Sequence, residues 1–94
     1  MALLAFDVAG NACSAAVWCR NKIVSHVSEE LERGQAERLA PMLKSVMSRA
    51  GLDFSQLDMI AVTVGPGSFT GIRIGISMAK SLALATGRPL YGVT

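Results

Sequence analysis

The chain is poor in the side chains from which reactive centres are most often built, with two cysteines and one histidine among 94 residues. Cys13 and Cys19 are not a C-x-x-C pair, and with no third or fourth thiol they supply neither a zinc site nor a disulfide framework. Both read as reduced packing residues. His26, on either face of its strand, reads as structural or solvated. One His with two unpaired Cys cannot assemble a zinc protease centre or an oriented Cys-His couple. Charge is scarce as well: 17% of residues are charged, the formal net charge is +2, and the cations are scattered from Arg20 to Arg88 without a run. A phosphate-binding face needs clustered cations, so nucleic acid is not expected as an independent ligand. No apolar stretch nears the roughly 20 residues of a membrane span. The opening MALLAF has no basic leader and meets Asp7 too soon for a signal peptide. A soluble, cytoplasmic chain without membrane contact is expected.

What the chain has is apolar surface. Hydrophobic residues make up 51% of it, and the mean hydropathy is +0.42. That excludes a disordered tail and fits one compact domain over residues 1–94. A chain of this size hides only roughly 60 to 68% of its unfolded surface on folding. Apolar area is left over, and a protein partner is expected to take it up.

Leu3 to Val8 is a short apolar run before the turn signal Ala9-Gly10-Asn11, and reads as a buried strand. Ala12 to Cys19 is small and apolar, Arg20-Asn21-Lys22 breaks it, and Ile23 to Ser28 alternates. Together they predict an antiparallel meander. Glu29-Glu30-Leu31-Glu32-Arg33-Gly34 reads as a solvated connection. Apolar residues at Ala36, Leu39, Ala40, Leu43, Val46, Met47 and Ala50 then fall three and four apart, the mark of an amphipathic helix, with Gly51 as its C-cap. Glu37 and Arg38 are read as surface or interface charges. Pro41 means that this helix either begins shortly before it or kinks there. Met59 to Val64 is nearly all apolar, as in a parallel strand covered on both faces. A turn, a second helix from about Gly71 to Thr86, the stop at Gly87 and a strand-like Pro89 to Val93 complete an α/β chain with order β-β-β-α-β-α-β. Ending straight after a strand is odd for a natural terminus, and a fragment is expected.

The segment with most information is GPGSFTGIRIG, residues 65–75. Its glycines and proline mark a tight strand-to-helix turn, which is neither a Walker motif nor GxGxxG in register. Two readings stand. Gly65, Gly67, Ser68, Thr70 and Gly71 could hold an anion at the helix N-terminus, or Ser68 or Thr70 caps the helix and the glycines permit close packing. Asp7, at the end of the first strand, could orient a metal-bound water or phosphate, or simply form a turn. The helix after the turn has apolar stripes on two sides, Ile72, Ile76, Ala79 and Ala83 on one and Ile74, Met78, Leu82 and Ala85 on the other, and a narrow polar strip of Arg73, Ser77, Lys80 and Ser81. It should pack on the sheet and also on a second helix, either of this chain or of another subunit. Leu39, Met42, Val46 and Met47 would extend that surface.

On these residues the chain resembles the N-terminal half of the bacterial TsaB (YeaZ) family, whose hallmark is a GPGSFTGIRIG-type segment after a strand. LLAFDVAGNACSAAVW is similar to the family's opening hairpin, and RGQAERLAPML, residues 33–43, to its Arg-x-His-x-x-x-x-x-Pro region. Gln35 stands where many members have His, and Val8-Ala9 where Thr-Ser is commoner; both weaken any claim of phosphate chemistry at those positions. The resemblance implies a ribonuclease H-like subdomain of the actin, Hsp70 and sugar kinase (ASKHA) fold with a mixed sheet. It also implies an accessory subunit in making threonylcarbamoyladenosine on tRNA beside the anticodon. Such a subunit supports a TsaD-like catalytic paralogue, is joined by a TsaE-like ATPase, can pair with itself and meets tRNA only indirectly. No cofactor bound by this chain alone, no metal and no catalytic residue of its own are expected, and the older glycoprotease (peptidase M22) label does not suit a chain with a single His. The family's helical dimer surface maps to Leu39, Met42, Leu43, Val46, Ile72, Ile76, Ala79 and Ala83, with Arg73 and Lys80 as rim charges. The competing implication is a nucleotide-binding half of a kinase-like ATPase, holding phosphate at Asp7 to Ser14 and Gly65 to Gly71.

Overall fold

The computed structural model describes residues 1–9, 12–30, 34–63 and 69–93. Strands β1 (Ala2–Ala9), β2 (Ala12–Cys19) and β3 (Lys22–Glu30) form the expected meander, followed by helix α1 (Gln35–Ala50), strand β4 (Met59–Thr63), helix α2 (Phe69–Thr86) and strand β5 (Leu90–Val93). The sheet order is β3-β2-β1-β4-β5. Both β1-β4 and β4-β5 are parallel, as crossovers through helices require. The β2-β3 turn is made by Arg20 at φ 55° and Asn21 at φ 64°. Two consecutive left-handed residues give the primed turn that matches the twist of a hairpin.

Residue alternation decides which face of each strand is dry. Leu4, Phe6 and Val8 of β1, Cys13, Ala15 and Val17 of β2, and Ile60 and Val62 of β4 are buried under the helices. The alternate positions Leu3, Ala5, Asp7, Ser14, Ala16, Trp18, Ala61 and Thr63 are only half-buried. The expectation that β4 is covered on both faces therefore fails among the described residues. Ile60 and Val62 are sealed, whereas Met59, Ala61 and Thr63 lie on a face that no described helix crosses. Val64 lies outside the described residues.

The α1 helix delivers Leu39, Met42, Leu43, Val46 and Met47 to the core, each at most 2% exposed. It runs unbroken through Pro41, six residues after its start at Gln35. The proline ring cannot donate the amide bond to the Glu37 carbonyl, and Pro41 faces solvent, where that loss is cheapest. Gly51 at φ 72° ends the helix in the left-handed conformation, its amide reaching the Ser48 carbonyl at 3.0 Å. Glu29 and Glu30 belong to β3 and not to a connection: Glu29 pairs with Cys13 in the ladder, and Arg38 of α1 donates to its carboxylate at 3.1 Å. At the other end of the sheet Asp58 fixes the β1-β4 register. Its Oδ2 accepts the Ala2 amide at 2.7 Å, and its own amide donates to the Ala2 carbonyl at 2.8 Å. No helix among the described residues is long and apolar enough to cross a membrane.

Candidate functional site

Helix α2 sits on β1 and β4 through its smallest residues. Ala79 is fully buried, and a Cβ built on Gly75 would stand 3.2 Å from Val62 Cγ2 and 3.7 Å from Val8 Cγ2. The repeat of small residues thus brings the helix close to the sheet rather than to another helix. Its large side chains are pushed to the flanks and the outside. Ile74 and Met78 lean toward α1 and, with Ala36, Arg73, Ser77 and Ser81, line an open cleft of about 500 Å³ between the helices. Ile72, Ile76 and Ala83 are half-buried on the opposite flank, Arg73 and Lys80 are exposed beside them, and Leu84 is 88% exposed. An exposed leucine in the last turn of the helix, with half-covered isoleucines in the turns before it, is the composition of a docking surface with a charged rim.

The residues assigned to that surface from sequence divide into two groups. Leu39, Met42, Leu43 and Val46 of α1, with Ala79 of α2, are sealed inside this chain. They have no side-chain area left to offer a partner, and their assignment as interface residues is corrected: the amphipathic stripe of α1 is spent on its own sheet. Ile72, Arg73, Ile76, Lys80 and Ala83 keep exposed area and remain candidates.

The second candidate region lies on the uncovered sheet face. Asp7 is inside β1, not in a turn, and Thr63 Oγ1 of β4 donates a hydrogen bond to its Oδ1. Asp7, Ser14, His26 and Thr63 rim a shallow hollow of about 200 Å³ floored by Ala5 and Ala16. Sequence reading missed Thr63 and His26 here, because only the register brings four strands' alternate residues together. Next to it Leu3, Ala5, Ala16, Trp18 and Ile23 line an apolar hollow of about 400 Å³. Gly65, Gly67 and Ser68, the heart of the anion-site expectation, lie outside the described residues, as does the side chain of Thr70; Gly71 is buried at the start of α2. No group of three metal-ligating side chains occurs among the described residues. Cys13 is buried, and its thiol is pushed above the ordinary range by desolvation, then by Glu29 and Asp7, so it stays protonated and unreactive.

Residues 22–94 match the family described as TsaD: tRNA N6-adenosine threonylcarbamoyltransferase. The chain belongs to this family. Over its whole length it is 38% identical to the tRNA threonylcarbamoyladenosine biosynthesis protein TsaB of Escherichia coli strain K12, of which it covers 40%. A crystal structure of a Pseudomonas aeruginosa protein with similarity to peptidase YEAZ superposes with a TM-score of 0.94 at 39% identity, over 99% of this chain and 43% of that one. Over 67 residues, 71% of the chain, it is also 48% identical to a tRNA N6-adenosine threonylcarbamoyltransferase from Erythrobacter litoralis, of which it covers 20%. The resemblance to TsaB and YeaZ proteins therefore holds along the entire chain, which spans about 40% of the length of the TsaB relative. A solved protein with an actin-like ATPase fold superposes at a TM-score of 0.62 with 14% identity, a likeness of fold alone. The fold is the mixed-sheet ASKHA subdomain that the TsaB resemblance implied.

Proposed function

We propose that this chain works in the cytoplasm as a non-catalytic accessory subunit of threonylcarbamoyl transfer to the tRNA adenosine beside the anticodon. It docks the outer face of α2 on a TsaD-like catalytic paralogue, and a TsaE-like ATPase joins the assembly; tRNA meets the chain only through them. The observation that carries this reading is the partial exposure of Ile72 and Ile76 and the open position of Leu84 on a helix whose sheet-facing line is glycine and alanine. Leu84, the most exposed large hydrophobic side chain among the described residues, lies where another subunit can reach it, and the chain acts by coupling between subunits. The names of its relatives, TsaB and threonylcarbamoyltransferase, support the pathway.

The test is binding to the TsaD-like paralogue. Ile76→Glu puts a charge at the centre of the docking face and is expected to weaken association at least about tenfold, while circular dichroism stays native. Unchanged affinity in the variant rejects the reading. The Asp7-Thr63 hydrogen bond and the polar hollow around it favour a second reading, a kinase-like nucleotide-phosphate half. Calorimetry with ATP and magnesium separates the two, since measurable affinity in the folded chain supports the second.

A further inference from the structure

Arg73, Ser77, Lys80 and Leu84 are all exposed and recur four, three and four residues apart, so they form one stripe along the outside of α2. Ile72, Ile76 and Ala83 are half-buried on one side of that stripe, Ile74 and Met78 on the other. A body that rests on Ile76 and Leu84 together closes over Lys80, which lies one turn before Leu84. An ammonium shut away from water without an opposite charge is costly. Helix α2 cannot supply that charge, because its 18 residues include no Asp or Glu. We infer that the surface docking on α2 is acidic: it offers two carboxylates about two helical turns apart, one to Arg73 and one to Lys80, astride an apolar side chain. The inference rests on docking through α2 and adds the chemistry of what docks.

The hollow between the cations gives the pattern. Arg73, Ile76, Ser77 and Lys80 line a depression of about 300 Å³, in which Ile76 is the apolar wall. Arg73 and Lys80 are seven residues apart, about 10 Å along the axis. A helix with acidic residues at i and i+7 and an apolar residue at i+3 or i+4 matches that spacing. Charges placed so beside an apolar seam set the choice of partner between paired helices. Arg73 already makes an interaction within the chain, and its five donors allow a further carboxylate. A second copy of the chain fits this face poorly. Packed α2 on α2, it brings cations to cations. The one acid of α1, Glu37, stands in the first turn of that helix with its carboxylate beside Gly34. The same two cations therefore favour an acidic paralogue and count against a copy of the chain itself.

Calorimetric titration with the TsaD-like paralogue at low and high salt tests this. Wild-type affinity is expected to fall as salt rises. Lys80→Glu is expected to weaken binding about tenfold and to flatten its salt dependence, and Lys80→Arg to keep the wild-type affinity, with native circular dichroism in both. Three results overturn the inference: wild-type affinity indifferent to salt, Lys80→Glu binding as tightly as wild type, or Lys80→Glu pairing with the wild-type chain more tightly than wild type pairs with the paralogue, which would make a second copy the occupant. If Lys80→Glu binds normally while Ile76→Glu does not, the acidic partner fails and docking through α2 stands. If both bind normally, docking through α2 itself fails.

Discussion

The two helices lie side by side on the same face of the sheet, yet they use their apolar residues in opposite ways. Helix α1 sends Leu39, Met42, Leu43, Val46 and Met47 into the core and leaves Glu37, Arg38, Pro41 and Lys44 in solvent. Burying side chains of this kind contributes about 1.5 to 3 kcal/mol each, so α1 is the helix that holds the domain together. Helix α2 meets the sheet with Gly71, Gly75 and Ala79 and turns Ile72, Ile76 and Leu84 partly or fully outward. It is the more apolar of the two helices and contributes less to the core. The difference teaches that a helix's hydrophobicity and its share of the fold's stability are separate quantities.

Three substitutions sharpen this contrast. Leu43→Ala in α1 removes a sealed side chain and is expected to cost about 2 to 5 kcal/mol in urea denaturation. A loss below about 1 kcal/mol would mean that α1 is not the stabilising helix. Gly75→Ala places a methyl 3.2 Å from Val62 Cγ2. Overpacking there costs about 1 to 3 kcal/mol, against about 1 kcal/mol regained from helix propensity. A net loss near 1 kcal/mol is expected; a net gain would show that α2 can lift off the sheet freely. Leu84→Ser should leave stability within about 0.5 kcal/mol, since that side chain touches little of its own chain. It should still weaken docking to the paralogue, and a large stability loss would place Leu84 in the core.

Much of the architecture was readable from residue spacing. The three-and-four pattern of α1, its glycine stop at Gly51, the left-handed Gly87 after α2 and the order of elements all follow from local chemistry. What spacing could not supply is the identity of the covering surface. Leu39 and Val46 form an apolar stripe whether the sheet or a foreign subunit lies against it, so their assignment to an interface went wrong for a tertiary reason. The same holds for β4: an apolar run shows strand character but not whether one layer or two lies over it. The acidic pair Glu29-Glu30 looked like a loop because its charge obscured the alternation that continues from Val27. The hollow around Asp7 depends on strand register, which brings Thr63 beside a residue 56 positions earlier in the sequence. In contrast, the family resemblance was legible in the GPGSFTGIRIG segment itself.

The double tie between Ala2 and Asp58 has a consequence for how the chain is made. The first strand cannot acquire its parallel neighbour until residue 58 has left the ribosome. At about 5 to 20 residues per second, that delay lasts about 3 to 12 seconds. Throughout it the amino-terminal hairpin has one flank bare, so nascent chains are most open to capture by chaperones before the carboxylate of Asp58 emerges.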